Sequence, residues 1–385
     1  MSYDVDAVRA LFPSLADGTA YFDGPGGSQT PTPVAAAVAG TLTAGLANRG
    51  TVTEAEQRAS AVVSMARRAM ADLLGADRRG VVFGRSMTQL TFDVSRTLAT
   101  GWGPGDEVVV TRLDHDANIR PWVIAAERAG ATVRWLGFDP VTAELDDVAP
   151  LLSERTRLVA VTAASNLLGT RPDVPAITAA AHAVGALTYV DAVHLVPHAP
   201  VSKDELGADF LACSPYKFLG PHCGVLAADP ALLETLHPDK LLPSTDEVPE
   251  RFELGTLPYE LLAGTTAAVD LLRGWGMAAV EEHEAALLAR LLDGLAAVPG
   301  VTVHGSPARR TPTVLLSVDG REHAEVHRGL AARGINAPAA SFYAIEASRH
   351  VGLGDAGALR VGLAPYTTAD EIDRLLNALG DLVLR

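Results

Sequence analysis

The sequence predicts an α/β protein in two parts: a large domain on a mostly parallel sheet, then a smaller α+β domain. Three observations carry this. From about Ala20 to Pro230, short apolar runs alternate with helix-length amphipathic stretches. The runs are continuously apolar, as strands buried on both faces require. After Gly255 the texture changes to two long helical patterns, short strands and a last helix. With 385 residues the chain is too long for one small core and fits one large domain plus a smaller one.

In order, residues 53–75 place apolar residues at helical spacing and end in Gly75, a helix stop. GVVFG (80–84) is a short strand, and a helix begins near Met87. DEVVVTR (106–112) reads as a strand and ANIRPWVIAAERAG (117–130) as a helix closed by glycine. TVRWLGF and RLVAVTAAS (157–165) are strands, and DVPAITAAAHAVG (173–185) is a helix. ALTYVDA (186–192), DFLACS (209–214) and GVLAA (224–228) complete the strands of the large domain. Beyond Gly255, PYELLAGTTAAVDLLRGWG and AAVEEHEAALLARLLDGLAAV are helices. VTVHG, TPTVLLSVD and GALRVGL are strands, and ADEIDRLLNALGDLVL is the closing helix. No fixed-period repeat or low-complexity tract interrupts the pattern.

Composition excludes several classes. Hydrophobic residues at 48% and charged residues at 20% describe a folded chain, not a disordered one. A net charge of −15 disfavours both nucleic acid and anionic membranes as partners. Two cysteines, Cys213 and Cys223, make no disulfide framework and point to a reducing compartment. The N-terminus lacks the basic and apolar regions of a secretion signal, and no apolar run reaches membrane-spanning length. The expectation is a soluble cytoplasmic protein.

Ligands of open parallel sheets bind beyond the carboxyl ends of the strands. The residues just after each strand are Arg85 to Thr88, His115, Ser165 and Asn166, Asp191 and His194, and Ser214, Tyr216 and Lys217. GRSMTQL (84–90) joins a strand to a helix whose free N–H groups and Thr88 hydroxyl suit a phosphate, or simply a capped helix start. Asp191 ends an apolar strand and needs a partner, either a structural donor or a protonated ring nitrogen. Neither a GxGxxG nor a GxxxxGK[ST] pattern is present, which removes the motif support for a nicotinamide or nucleotide site. His194 and His198 are separated by Pro197, and Asp114, His115 and Asp116 alternate along an expected strand, so neither set reads as a metal site. No GxSxG elbow supports serine hydrolase chemistry.

Lysine is scarce. Lys203, Lys217 and Lys240 are the only three of 31 basic residues that are not arginine. Lys203 and Lys240 sit among turn-like polar neighbours and read as surface residues. Lys217, in SPYKFLGP, follows a buried strand. Its stem could pack under Tyr216 and Phe218 with the amine in water. Alternatively, partial desolvation makes it a Schiff-base nucleophile. One lysine, one acid for a ring nitrogen and one phosphate anchor are the requirements of pyridoxal phosphate (PLP).

Taken in order, GRSMTQL, DHDANIRPW, SNLLGTRPD, YVDAVHLVPH, SPYKFLGP, RFELGT and LRVGLAPYTTADEIDRLL resemble the class V aminotransferase group of fold-type-I PLP enzymes. Within it, the chain is most similar to cysteine desulfurase-like proteins, from about Tyr21 onward. The resemblance implies a mostly parallel seven-stranded sheet in a large domain (15–257) and a small α+β domain (1–14 and 258–385). It implies Lys217 as the Schiff-base lysine, Asp191 on the pyridine nitrogen and His115 stacked on the ring. His194 stands where the family usually has a Gln on the phenolic oxygen. Met87, Thr88, Ser214 and Tyr216 would contact the phosphate. Thr256 would reach the phosphate of a neighbouring subunit, so a homodimer with shared sites is implied. Asn166 and Arg360 would hold the α-carboxylate of an amino-acid substrate, and a bidentate clamp favours Arg over Lys.

The family's desulfurases carry a persulfide-forming cysteine in a loop before the Arg360 position. Here residues 335–359 contain none, and an arginine and two histidines usual there are also missing; Pro338, Ala339 and Ala340 lie nearby instead. Cys213 and Cys223 flank Lys217 and read as core residues. The expected chemistry is β-elimination or C–S cleavage without a loop persulfide. Transamination, epimerisation and a non-catalytic PLP-binding scaffold are the alternatives. A nucleotide-dependent oxidoreductase is a further one, weakened by the missing glycine fingerprint.

Overall fold

The computed structural model describes residues 3–383. A two-residue strand, β1 (Ala20–Tyr21), precedes the main sheet. That sheet contains β2 (Val81–Gly84), β3 (Glu107–Thr111), β4 (Thr132–Leu136), β5 (Thr156–Thr162), β6 (Leu187–Asp191), β7 (Phe210–Cys213) and β8 (Gly224–Ala228). The strand order is β2-β8-β7-β6-β5-β3-β4. Only β8 runs antiparallel to its neighbours. The expected seven-stranded, mostly parallel sheet is therefore the observed one.

The sheet's two faces sort by residue parity. Val109, Val159, Val161, Val190, Leu211 and Val225 face one side. There they meet Val63, Met70 and Leu74 of helix Glu54–Leu74 and Ile177 of helix Val174–Ala183. Val108, Val110, Leu158, Ala160, Tyr189 and Leu226 face the other side, against Leu90, Val94 and Trp122. Burial on both faces explains the unbroken apolar runs. Edge strand β4, TVRWL, alternates exposure instead, with Arg134 outward.

Local signals fix the helices. Helix Glu54–Leu74 opens on a capping box between Thr53 and Glu56 and closes on left-handed Gly75. Inside it, Arg67 is buried and pairs bidentately with Glu253 at 2.8–2.9 Å. Helix Tyr259–Trp275 adds Leu262, Val269 and Leu272 to the core of the large sheet. Residues on both sides of the expected 257/258 boundary thus share one core, as do Val8 and Phe12.

The smaller sheet contains β9 (Val301–His304), β10 (Thr313–Val318), β12 (Ala339–Ala340) and β13 (Ala358–Gly362), antiparallel in the order β12-β13-β10-β9. β11 (Ile335–Asn336) pairs in parallel with β1. Helices Met277–Ala296, His323–Ala331 and Ala369–Val383 cover one face through Leu291, Leu330 and Leu375. On the other side, Leu315 and Ala358 pack with Leu113, Phe138, Leu167 and Leu168 of the large sheet's loops. This apolar seam brings β13 to the carboxyl ends of the large sheet.

Two helices lie outside the sequence reading, and one reading changes. Helix Thr32–Thr43 was not anticipated, because its run of alanines shows no polar period, and Val34 is its one buried residue. Helix His323–Ala331 has only nine residues, with Val326 and Leu330 buried, too short a pattern to stand out. Lys203 is buried, not a surface residue. Its ammonium donates to the Ala208 carbonyl at 3.3 Å and pairs with Asp204 at 3.1 Å.

Candidate active site

A cavity of about 840 Å³ opens at the carboxyl ends of the large sheet, against β13 and the segment after β12. Its lining includes Met87, Thr88, His115, Asn166, Asp191, His194, Ser214, Tyr216, Lys217 and Arg360. Every strand-end candidate assigned to a cofactor or substrate is therefore at one place. Thr256 is not; it lies exposed on a bend outside this cavity.

Each wall follows from local structure. The helix Met87–Ala99 starts at the cavity with Ser86 as its N-cap, which accepts from Gln89 N–H at 3.1 Å. The first helical N–H groups have no intrahelical acceptor, so Met87 and Thr88 present donors to an anion. Gly224 lets this helix start sit tightly on β8; any side chain there would collide with the Ser86–Met87 backbone. His115 and Asp116 both line the cavity, because Asp116 opens a 3-10 turn (Asp116–Asn118) and the strand has already ended. The alternation expected for Asp114–Asp116 fails for that reason. Asp114 is fully buried beneath them, bonded by Asn118 at 2.7 Å, by Thr162 N–H at 3.0 Å and by Thr111.

Asp191 ends β6 and accepts from Val193 N–H at 2.9 Å. Burial pushes its carboxyl up to about 6, while Val193 N–H and the Lys217 cation oppose the rise. Lys217 stands in the short turn Pro215–Lys217 and donates to the Pro25 carbonyl. Burial lowers its pKa to about 8; repulsion from Arg360 adds to this, and Asp23 and Asp191 oppose it. More of its amine is therefore neutral near pH 7 than for an ordinary lysine. Burial likewise holds His115 down to about 4, a neutral imidazole. His194 is also kept neutral by burial and by His198, and its Nε2 is 2.8 Å from the Thr313 hydroxyl.

Arg360 and Asn166, which the resemblance assigns to a carboxylate, also meet at this cavity. Arg360 is buried on β13 and lines the cavity with Asn166. Arg360 Nε and Asn166 Oδ1 are buried without a hydrogen-bond partner. An orphaned buried donor such as Arg360 Nε–H marks where an anion completes a site, whereas Asn166 Oδ1 is an acceptor and needs a donor. The donors and the acid fit PLP with an amino acid beside it: a nucleophilic lysine, a buried acid, an anion-ready helix start and a guanidinium.

Asp23 and residues 341–343 were missed by sequence reasoning. Asp23 follows β1 and bonds Arg360 at 2.7 Å. The rule of reading residues after strands finds it only if two-residue β1 is recognised. Phe342 and Tyr343 enter the cavity by long-range packing, for which the sequence carries no local signal.

Both cysteines are free and buried, and neither lines the cavity. Burial raises Cys213 well above the usual thiol range and Cys223 to about 11, so both stay protonated. They are core residues, as the sequence indicates. Among the described residues, no group of three or more His, Cys, Asp or Glu side chains is arranged to hold a metal ion. No helix among them is long and apolar enough to cross a membrane.

If Lys217 attacks as a neutral amine, cofactor uptake by the apo-protein should speed up with rising pH. Below about 8 the amine is protonated and uptake is slow; above it the rate reaches a plateau. A midpoint near the ordinary lysine value would show that burial does not tune this group. Stopped-flow absorbance against pH makes the measurement.

Comparison with known proteins identifies the family. Residues 20–375 match the family model of class-V aminotransferases. Protein MT3887 of Mycobacterium tuberculosis is 35% identical, with 99% of this chain and all of the relative aligned. A probable cysteine desulfurase of Mycobacterium leprae is also 35% identical, over 97% of this chain and 95% of its own. The crystal structure of the Escherichia coli cysteine desulfurase CsdA superposes with a TM-score of 0.90 at 29% identity, covering 100% of this chain and 99% of the other. The chain belongs to the class-V aminotransferase family of PLP-dependent enzymes, in its cysteine desulfurase-like branch.

Proposed function

We propose that this protein binds PLP at Lys217 and acts on a small amino acid by β-elimination or C–S bond cleavage, without a persulfide on its own chain. The convergence of Lys217, Asp191, Asn166 and Arg360 in a cavity that contains no cysteine carries the proposal. Bound PLP supplies an electron sink for the bond electrons released at the substrate's Cα.

The chain's own residues do the rest. Met87, Thr88, Ser214 and Tyr216 hold the phosphate. Asp191 holds a proton on the ring nitrogen; a nearby pyridinium would restore its charged form against burial. His115, neutral and half-buried, covers one face of the ring, and His194 hydrogen-bonds the phenolic oxygen. Arg360 and Asn166 fix the substrate carboxylate, which orients the bond to be broken. Lys217 would accept the Cα proton. With no cysteine opposite, sulfur leaves the site as sulfide. The protein works as a homodimer in which Thr256 reaches the partner's phosphate. Its exposure outside its own cavity supports that role, as do exposed Leu42 and Leu254.

Product analysis tests the reaction. Incubated with L-cysteine, the PLP-loaded protein should release sulfide, pyruvate and ammonia in equal amounts. Pyridoxamine phosphate instead would make it an aminotransferase. Cofactor uptake with no response to any amino acid would make it a scaffold.

A further inference from the structure

Arg360 reaches the cavity from a closed position. Its Nη2 donates to Asp23 at 2.7 Å and its Nη1 to the Asn166 carbonyl at 3.0 Å. The Phe342 ring lies over the guanidinium, with Cζ 3.7 Å from the ring centroid. One face is thus shut by an aromatic ring, and two of five N–H groups are committed. Three remain, among them that of Nε, which is buried and unpartnered.

The ring is held there under strain. Phe342 and Tyr343 are consecutive non-glycine residues in the left-handed region, at φ 52° and 58°. Such residues cost on the order of 1–3 kcal/mol each and persist only where surroundings hold them. The holding contacts come from the candidate site itself. Asn166 Nδ2 donates to the Phe342 carbonyl at 3.0 Å, and Asp116 N–H donates to that of Tyr343 at 2.7 Å. The Tyr343 ring stacks beside His115 at 5.6 Å. Phe342 remains half-buried and lines the cavity.

We propose that Phe342 is the positioning residue for the substrate carboxylate: its ring closes one face of Arg360 and turns the free edge of the guanidinium toward the cavity. The inference rests on the reading of Arg360 as the carboxylate anchor. A ring–cation contact fixes the guanidinium plane as well as neutralising part of its charge. Asn166 serves both sides through Nδ2: one N–H holds the Phe342 carbonyl, and the second is the donor for the substrate carboxylate.

The test compares L-alanine with ethylamine, the same amine without the carboxylate, on the PLP-loaded protein. Binding is read from the absorbance change of the cofactor, independent of turnover. The wild type should bind alanine more tightly. Phe342→Leu should reduce that preference roughly tenfold, as loss of a desolvated cation–π contact implies. Phe342→Tyr should keep it. Phe342→Gly relieves the left-handed strain, guards against misfolding, and should lose the preference as Phe342→Leu does. A role confined to packing the seam between the sheets would lower the melting temperature but leave the alanine-to-ethylamine ratio unchanged. That unchanged ratio in a loaded Phe342→Leu protein overturns the inference while leaving the proposed function intact. A wild type that takes up no PLP overturns both.

Discussion

Lys217→Ala should lose about three orders of magnitude in activity, the scale of removing a nucleophile that is also a proton acceptor. Phosphate contacts from the helix start and the 214–216 turn remain, so the variant should still bind PLP, non-covalently and more weakly. Lys217→Arg separates the possible roles. Arginine preserves the cation but not the nucleophile, and should be as inactive as alanine. Stability should not fall with activity. Lys217 faces repulsion from Arg360 and a burial cost that lowers its pKa to about 8. Melting of the apo-protein at pH 7 should therefore be unchanged or slightly higher in Lys217→Ala. Retained turnover in either variant would remove Lys217 from the chemistry.

The largest effect on stability is expected at Arg67. Its guanidinium binds both Glu253 oxygens and also donates to the Val81 carbonyl, while Glu253 accepts from Phe83 N–H at 2.9 Å. The side chains are 9% and 3% exposed, so water cannot replace either partner. Arg67→Ala leaves a buried carboxylate alone and should cost about 3–5 kcal/mol in urea unfolding. Replacing both, as Arg67→Met with Glu253→Leu, should recover most of that loss. The sign with pH follows from burial, which raises the Glu253 pKa. With Arg67 gone that rise grows, and a raised folded-state pKa gives stability that is present at low pH and lost as pH rises. The variant should therefore be closest to wild type in acid. Glu253 belongs to RFELGT, so the same change should loosen Thr256. A Thr256 that reaches the partner's phosphate would then show weaker PLP affinity in Arg67→Ala, at temperatures where the protein is still folded.

Much of the site could be read from residue order because the fold makes position informative. A parallel sheet buried on both faces writes its strands as unbroken apolar runs, and whatever follows each run stands at the same edge. That logic reaches His115, Asn166, Asp191, Ser214 and Lys217 one strand at a time. It does not reach groups delivered by packing. Asp23 follows a strand of two residues, below the length at which a period shows. Phe342 depends on β12 and β13 docking over the large sheet, and its left-handed backbone is specified by neighbours far away in the chain. Helix Thr32–Thr43 is silent for a different reason: an alanine-rich surface helix has no apolar face to declare. Lys203 misleads because its polar neighbours look exposed, while its own ammonium is turned inward to a carbonyl.

Borohydride reduction of the protein after incubation with PLP, followed by peptide mapping, tests the central claim most directly. The chain has only three lysines, at 203, 217 and 240, so the label can be assigned to one of them. A single reduced pyridoxyl group is expected on Lys217, in the peptide that contains SPYKFLGP. Labelling at Lys203 or Lys240 with Lys217 free, or a colourless protein with no label at all, would contradict it.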